Sequence, residues 1–483
     1  MFGEKELIFK PELKVLSLEQ IRRIHWASLE VMERTGLIMN HAKALEALSG
    51  AGCRVDKIGE GKGRVRFPAW LVEECLRRAP KRVVLGDRSG ERKLALQGAN
   101  TFFGPSLDCI NYLDPATGEK VPFTLEHCVA TARLSDALPN FQWSMIIGMA
   151  SDQSPELADR LVAKTVLENS EQPLVFCCNN GESLKAIYEM ALVIAGSRED
   201  FEKAPFLVHY SEPISPLTYY GPSLEKIIFC SEKRVPLIIL SAPLSGGTGP
   251  SSLVGAVVLG NAESLSGLVL SQVLAPGAPF IYGIQASIMD MRTTIYSYGA
   301  PEAALMNCAS VGLAQFYDLP QFSTAGATDS RYLDAQAGLE SAFQCLSAGA
   351  CGGGLIHDCG SWMYHGSVAS PEFMVLNNEI LYLVNHFMNG LKVSDETLSV
   401  EAINEVGPGG HYLQHPSTRR YFKEVFYSKL FDRTMAEKPD SPKFGERLRE
   451  LTLEKMRYQP KSLSQEKTQE LARMVESWRR ASN

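Results

Sequence analysis

From residue 100 onward, short apolar runs alternate with longer stretches that are able to form helices. The eight runs are Thr101–Phe103, Phe141–Ala150, Leu174–Asn179, Phe206–Tyr210, Pro236–Ser241, Phe280–Gln285, Gln321–Thr324 and Gly354–Asp358. The following stretches include Pro155–Ser170, Gly181–Ala195, Leu224–Lys233 and Pro301–Tyr317. Strands alternating with helices predict βαβ units and a parallel sheet. Because the eight runs start roughly 30 to 45 residues apart, they favour an α/β fold of the (β/α)8 TIM-barrel type over an open sheet.

The chain on either side of this pattern has a different character. Ser17 and Gln20 form a capping box that predicts a first helix, and Gly36 ends it. Beyond Tyr382 the alternation stops, and Ser464–Ala481 is typical of a mixed-charge helix. We therefore predict an N-terminal helical extension over residues 1–99, a catalytic barrel over 100–400 and a C-terminal helical extension over 401–483, with both extensions packed on the barrel.

Composition and charge exclude several classes of function. Hydrophobic residues make up 45% of the chain and charged residues 21%, as in ordinary globular proteins. A net charge of −7 disfavours nucleic-acid binding but leaves a cationic substrate or a protein partner open. The 11 cysteines show no disulfide framework, and neither an export signal nor an apolar run of about 18 residues is evident. We expect a cytoplasmic protein with reduced thiols, no membrane segment and a homo-oligomeric assembly.

In a TIM barrel the active site forms at the C-terminal ends of the strands. The charged pair His357 and Asp358 ends the eighth run, so we expect these two residues to be catalytic. Aromatic and polar residues lie at or just after the other strand ends, where a ring face could meet a cation. The predicted substrate-binding residues are Phe103, His209, Tyr210, Glu212, Tyr282, Gln285, Trp362 and Tyr364.

Other barrel chemistries lack the residues that they need. No lysine lies within a predicted strand or at its C-terminal end, which disfavours Schiff-base catalysis. No His-x-His or Cys-x-x-Cys pair supports a zinc site, and no GxGxxG or P-loop supports a bound nucleotide. Cys351, His357 and Cys359 could ligate a metal, but buried cysteines flanking a strand explain the same pattern. We predict no metal and no permanently bound cofactor.

Three glycines after the fifth run allow two interpretations. Gly246, Gly247 and Gly249 could cradle an anion or let a large cofactor approach the backbone closely. They could equally form a tight turn.

Five segments of the chain together form a recognisable pattern. They are Asn111–Glu119 (NYLDPATGE), Thr328–Glu340 (TDSRYLDAQAGLE), Leu355–Gly360 (LIHDCG), Glu405–Tyr412 (EVGPGGHY) and Phe431–Arg433 (FDR). Together they resemble the trimethylamine methyltransferase family, and the resemblance covers nearly the whole chain. The large cofactor that approaches Gly246, Gly247 and Gly249 would then be a corrinoid. It implies a (β/α)8 barrel that passes a methyl group to the Co(I) centre of a corrinoid-binding partner protein, so that cob(I)alamin is supplied by that partner.

One departure from the family narrows the expected substrate. Archetypal trimethylamine enzymes carry pyrrolysine, whereas this chain contains only standard residues and is similar to glycine betaine:corrinoid methyltransferases. A quaternary ammonium leaves as a neutral tertiary amine, so its demethylation needs no acid catalyst. We expect glycine betaine as substrate, with His357 donating to its carboxylate; proline betaine, carnitine and γ-butyrobetaine are alternatives.

Two further functions stay open at this stage. The same barrel could be a metal-assisted lyase or methyltransferase that uses His357, Asp358 and Glu212. The chain could also be a noncatalytic protein that binds quaternary amines or corrinoid partners. Tightly bound metal would favour the first alternative, and ligand binding without a demethylated product would favour the second.

Overall fold

A computed structural model describes residues 7–433 and 442–482 of the chain. The strands are β1 (Leu7–Phe9), β2 (Leu37–Asn40), β3 (Arg54–Gly59), β4 (Lys62–Arg66), β5 (Val83–Gly86), β6 (Lys93–Leu96), β7 (Thr101–Phe103), β8 (Asn111–Leu113), β9 (Lys120–Pro122), β10 (Ser144–Met145), β11 (Leu174–Phe176), β12 (Leu207–Ser211), β13 (Thr218–Tyr219), β14 (Leu237–Ser241), β15 (Leu244–Ser245), β16 (Phe280–Ile284), β17 (Ser287–Ile288), β18 (Phe322–Thr324), β19 (Gly354–His357), β20 (Trp362–Met363), β21 (Val368–Ala369) and β22 (Leu391–Val393). The helices are α1 (Leu18–Glu30), α2 (Ala42–Gly50), α3 (Ala69–Arg78), α4 (Leu125–Ala137), α5 (Ala158–Asn169), α6 (Gly181–Ala195), α7 (Arg198–Lys203), α8 (Gly221–Lys233), α9 (Leu253–Leu274), α10 (Pro301–Phe316), α11 (Ala335–Cys351), α12 (Pro371–Met388), α13 (Asp395–Leu398), α14 (Val400–Val406), α15 (Pro416–Tyr421), α16 (Phe444–Lys455) and α17 (Gln465–Ser482).

Eight parallel strands close into a barrel, as the alternation of apolar runs and helices predicts. β10, β11, β12, β14 and β16 pair in that order, and β18 pairs with β19, which pairs with β7. Two isolated parallel bridges complete the ring, one between Tyr282 and Gln321 and one between Phe103 and Phe141. The predicted TIM barrel is therefore confirmed.

Side chains alternate between the inside of the barrel and the surrounding helices because successive residues of a strand point in opposite directions. Val208 and Tyr210 of β12 belong to the buried cluster inside the barrel, together with Ile281 and Phe322. Leu207, the neighbour of Val208, belongs to the larger core between the strands and the helices. Only inward residues near the C-terminal strand ends can contribute to one shared site.

The region before the barrel contains strands as well as helices, so its description as a helical extension was incomplete. Helices α1, α2 and α3 are present, and the capping box of Ser17 and Gln20 starts α1 as predicted. β2, β4 and β3 form a sheet with β13, and β5 and β6 form a hairpin. Val83 and Leu85 of this hairpin join the cluster inside the barrel, so the hairpin closes its N-terminal end.

The C-terminal region packs on the outside of the barrel through its last two helices. Leu448 of α16 is buried in the core that includes α12, and Arg449 pairs with Glu372 at 3.4 Å. Val475 of α17 packs with Leu161 of α5. The proposed division at residues 99 and 400 stays a prediction, and residues 1–6, 434–441 and 483 of the two extensions lie outside the described residues.

Within the described part of the chain, α9 is the one helix long and apolar enough to cross a membrane, and 78% of its most apolar stretch is buried inside the protein. It also carries Asn261, Glu263 and Gln272, all of which are fully buried and hydrogen-bonded to neighbouring protein groups. These features are those of a core helix packed against β14 and β16.

Two glycine substitutions, one inside the barrel and one in a surrounding helix, should have opposite effects on the free energy of unfolding. A Cβ at Gly283 would lie 2.6 Å from Leu240 Cδ1 and 2.7 Å from Phe322 O, whereas a Cβ at Gly338 in α11 has no such neighbour within 4 Å. We expect Gly283→Ala to lower the free energy of unfolding by about 1–3 kcal/mol through overpacking. Gly338→Ala should raise it by roughly 0.5–1 kcal/mol because alanine favours a helix. Urea denaturation checks both, and equal effects of the two changes would contradict the packing described.

Candidate active site

A histidine and two aromatic rings form the innermost layer at the C-terminal mouth of the barrel. His357 is fully buried, and its ring stacks on Phe322 with centroids 4.4 Å apart and an interplanar angle of 19°. The ring of Tyr210 lies 6.5 Å from that of His357. All three residues point inward from their strands, which places His357 at the floor of the mouth.

Asp358 also faces the inside, although it directly follows the inward-facing His357. Its φ of +72° ends the strand in a left-handed conformation and turns the carboxylate toward the mouth. One oxygen, Oδ2, accepts hydrogen bonds from Gln285 Nε2 at 3.0 Å and from Thr324 Oγ1 at 2.6 Å. The local backbone therefore brings two consecutive functional side chains into the same site.

Neither ring nitrogen of His357 has a hydrogen-bond partner in the protein. Its Nδ1 lies 2.9 Å from Asp358 Oδ1, but the angles do not make this contact a hydrogen bond, and Oδ1 is itself without a partner. Buried polar atoms without partners are rare in folded proteins. The imidazole and one carboxylate oxygen are thus available to a bound molecule.

Glu212 provides a second carboxylate, which accepts a short hydrogen bond from the hydroxyl of Tyr210. The side chain of Glu212 is in contact with water. The pKa of its carboxyl is nevertheless raised, mainly because the surrounding protein buries it and also because the negative charge of Asp108 is near. Glu212 therefore meets water, while its carboxyl keeps its proton to a higher pH than a free glutamate does.

Asp108 is a third carboxylate of the mouth, and sequence reasoning missed it. Its φ is +57°, and its oxygens accept from the thiol of Cys177 at 3.3 and 3.5 Å. Burial raises the pKa of Asp108, while the thiol and the positive charge of Lys226 lower it. Lys226 itself donates to the carbonyl of Cys178 at 2.7 Å and so sits behind the mouth.

Three neighbouring rings form a cluster on one side of the mouth. Tyr296 and Tyr298 have centroids 4.5 Å apart, and Tyr298 lies 4.4 Å from Trp362. Tyr296 and Tyr298 line a small cavity together with Gln285 and Thr324, the two residues that donate to Asp358, so the rings lie beside that carboxylate. Burial raises the pKa of Tyr298, and the charges of Asp358 and Glu212 raise it further. Trp362 was predicted from the sequence, but the two tyrosines were not.

Two carboxylates, Asp329 and Glu340, hold the loop that carries Tyr296 and Tyr298. Asp329 accepts from the backbone N–H groups of Tyr298 at 2.9 Å and Gly299 at 3.0 Å. Glu340 accepts from the backbone of Asp329 at 2.9 Å and thereby ties the loop to α11. Tyr296 donates to the carbonyl of Gln285 at 2.5 Å, so the cluster is also attached to the strand that ends at the mouth.

A further clamp fixes the segment that follows Glu212. Glu263 of α9 accepts from Leu217 N at 2.6 Å and from Ser215 Oγ at 2.7 Å. It also accepts a short hydrogen bond from Ser241 at the end of β14. Because Glu263 is fully buried, burial raises the pKa of its carboxyl, and these three donors compensate part of the desolvation cost.

Three residues predicted to bind substrate face away from the mouth. His209 lies between β12 and the helices with its ring 5.1 Å from that of Phe176, and burial lowers the pKa of its imidazole well below the usual value. Tyr282 donates to Asn261 of α9 at 2.7 Å. Phe103 packs in the outer core. Each alternates with an inward residue on its strand, so the structure does not bring these three residues to the mouth.

The remaining predicted residues lie on the rim. The ring of Tyr364 is covered by two cations of the protein itself, Arg331 at 5.0 Å and Lys120 at 5.4 Å. Gly246, Gly247 and Gly249 form a hydrogen-bonded turn in which Gly247 and Gly249 both donate to the carbonyl of Leu244 at 2.9 Å. The turn interpretation is confirmed, and the role of this turn in corrinoid approach stays a prediction.

The described residues contain no group of three or more histidine, cysteine and acidic side chains arranged to hold a metal ion. Cys351 packs with Cys308 and Val311, away from the mouth. Cys359 is fully buried in the main core. The structure therefore does not bring Cys351, His357 and Cys359 together as ligands.

The mouth thus combines three carboxylates with a cluster of rings, an environment suited to an organic cation. A family model described as "Trimethylamine methyltransferase (MTTB)" matches residues 6–471 of the chain.

Individual relatives carry related names. The chain is 31% identical over 422 residues to trimethylamine methyltransferase MttB of Desulfitobacterium hafniense (strain DSM 10664 / DCB-2), covering 87% of this chain and 84% of that protein. It is also 31% identical over 427 residues to glycine betaine methyltransferase of Desulfitobacterium hafniense (strain Y51), covering 88% of each. Among solved structures, the hydroxylamine MtmB complex has a similar fold, with a TM-score of 0.50, 10% identity and 77% of each chain covered.

The raised pKa of Glu212 predicts how stability changes with pH. The folded state holds the proton of this carboxyl more tightly than the unfolded chain, so ionisation destabilises the fold as pH rises above the ordinary value of 4.5. Glu212→Gln stays neutral, so its Tm should exceed that of the parent at pH 8, and the difference should shrink as pH falls toward 4. Glu60→Gln, at an exposed position, is the control. A Tm difference independent of pH would contradict this assignment.

Proposed function

Because the chain belongs to the trimethylamine methyltransferase family, we propose that it transfers a methyl group from a quaternary amine to the Co(I) centre of a corrinoid carried by a separate protein. The observation that carries the proposal is the cluster of Tyr296, Tyr298 and Trp362 beside Glu212 and Asp358. Aromatic faces and carboxylates are the two groups that stabilise a cation unable to donate a hydrogen bond.

Demethylation of a quaternary amine needs no acid that protonates nitrogen. When Co(I) attacks one N-methyl carbon, the C–N bond breaks and its electron pair stays on nitrogen, so a neutral tertiary amine leaves. The protein needs to desolvate the cation and hold one N–CH3 bond toward the open mouth. In this proposal the ring cluster and the carboxylates do both.

His357 and Asp358 take distinct roles in this proposal. Asp358 is held by Gln285 and Thr324 through one oxygen, which leaves Oδ1 to face the ammonium. His357 offers two ring nitrogens without partners to a polar part of the substrate. Glycine betaine, which would give dimethylglycine, is the reference substrate because a relative named for it matches most of the chain. Its carboxylate would then accept from His357.

The corrinoid partner reaches the site from outside in this proposal. A corrin ring is too broad to enter a packed barrel, so it would lie over the rim near the turn of Gly246, Gly247 and Gly249. Met291 and Met149 are exposed on this face by 77% and 54%, as expected for a surface that meets another protein. We place the protein in the cytoplasm and keep a homo-oligomer as an expectation.

The direct test mixes the protein, an amine and chemically reduced cobalamin, and follows methylcobalamin by its absorbance. Quaternary amines should give the product and trimethylamine should not. Turnover of trimethylamine with no quaternary amine accepted would overturn the proposal.

We expect Tyr298→Leu to weaken binding of tetramethylammonium about 2- to 30-fold, since a cation–π contact contributes roughly 0.5–2 kcal/mol. Tyr298→Phe keeps the ring face and should bind within about threefold of the parent. Titration calorimetry measures both. Tyr427→Leu, at an exposed ring in the C-terminal region, is the control. Unchanged binding by Tyr298→Leu would remove the ring cluster from the site.

We expect Met291→Glu to slow methyl transfer to the corrinoid protein by at least about tenfold, because a charge in an apolar contact costs more than 1.4 kcal/mol. Transfer to free cob(I)alamin should not change. Leu391→Glu, which lies after α12 at the opposite face and is 83% exposed, serves as the control. Equal slowing by both variants would indicate that the partner does not dock over the C-terminal rim.

A further inference from the structure

A second cavity opens beside the mouth, between the ends of the first three barrel strands and the start of α5. It has a volume of about 640 Å³ and is bounded by Asp108, Ile146, Met149, Ala158, Val162 and Cys177, among others. The wall is mainly apolar, since Ile110, Ala150, Pro155 and Ala158 also line it. We refer to this space as the side cavity.

The side cavity adjoins the proposed ammonium site at Asp108 and Cys177. Cys177 packs against the cluster inside the barrel, and its thiol donates to Asp108 at 3.3 Å. Tyr210, on the neighbouring strand β12, belongs to the same cluster and donates to Glu212. A cation held between Asp108 and Glu212 would therefore lie next to the side cavity.

The charges of the side cavity disfavour an anionic substituent. Among the described residues that line it, two are acidic, Asp108 and Asp159, and none is lysine, arginine or histidine. Lys226, whose positive charge acts on both Asp108 and Glu212, does not line the cavity, and its ammonium donates to the carbonyl of Cys178. A carboxylate placed here would meet like charges and leave its own oxygens without donors of opposite charge.

We infer that the preferred substrate is a quaternary ammonium whose fourth substituent is an uncharged, largely apolar chain longer than the carboxymethyl group of glycine betaine, accommodated in the side cavity. This inference rests on the proposed function and replaces glycine betaine as the best substrate. The three N-methyl groups face the rings and the carboxylates, and the chain lies along Ile110, Pro155 and Ala158. The volume of the cavity is many times that of a carboxymethyl group. Glycine betaine would therefore leave most of the cavity filled with water.

Titration calorimetry with the full chain tests the inference without a corrinoid. The probes are tetramethylammonium, n-butyltrimethylammonium, n-hexyltrimethylammonium and glycine betaine. Each methylene that enters an apolar cavity should tighten binding by about two- to fourfold, and n-butyltrimethylammonium should bind at least about tenfold more tightly than glycine betaine. Tighter binding of glycine betaine, or no dependence on chain length, would overturn the inference.

A pair of variants at one position tests where the chain lies. Ala158→Leu reduces the space at the start of α5, so the gain in affinity from tetramethylammonium to n-hexyltrimethylammonium should fall at least fivefold while binding of tetramethylammonium stays within twofold. Ala158→Ser keeps the volume and should keep the gain. An undiminished gain in Ala158→Leu would place the chain elsewhere and overturn the inference.

The outcomes separate this inference from the proposed function. If the alkyl series binds as expected but yields no methylcobalamin with reduced cobalamin, the cavity assignment stands and the methyl transfer is wrong. If glycine betaine is demethylated and binds more tightly than the alkyl series, the methyl transfer stands and the cavity assignment is wrong. If no quaternary amine binds, both are wrong.

Discussion

The closure of eight parallel strands into a ring is the constraint on which the site depends. Closure divides the side chains of every strand into an inner and an outer set, and only the inner set reaches the mouth. On β12, Tyr210 faces the inside of the barrel, whereas the adjacent His209 packs in the outer core. Asp358 does not follow this alternation, because its left-handed backbone conformation ends the strand. Its side chain therefore faces inward directly after that of His357.

The groups that form the mouth lower the stability of the folded protein. Asp108 and Glu212 both have pKa values raised by burial, and His357 and Asp358 keep polar atoms without partners. Functional sites often concentrate groups of this kind, since the free energy lost on folding can be recovered when a complementary molecule binds. A bound cation would supply the missing positive charge to all three carboxylates, so stability and recognition depend on the same groups.

Much of the barrel could be predicted from the sequence, because a run of buried strand residues followed by a helix leaves a strong pattern. Helix α6 has the predicted bounds, and Tyr210, Glu212, Gln285, His357 and Asp358 do meet at the mouth. The direction of a side chain was harder to predict. In strands that are buried on both faces, apolar residues occupy inner and outer positions alike, so Phe103, His209 and Tyr282 gave no sign that they face outward.

The rings of the mouth were harder still to predict, since Tyr296 and Tyr298 lie in a loop with no periodicity. Their position depends on hydrogen bonds to Asp329, which is itself bound by residues of α11 that follow the next strand. Contacts between segments so far apart leave no local pattern. The mouth therefore has two kinds of part: carboxylates placed by strand ends, and rings placed by loops. Because loops vary without disturbing the barrel, one fold can keep the carboxylates at its strand ends while the rings and the side cavity change with the ligand.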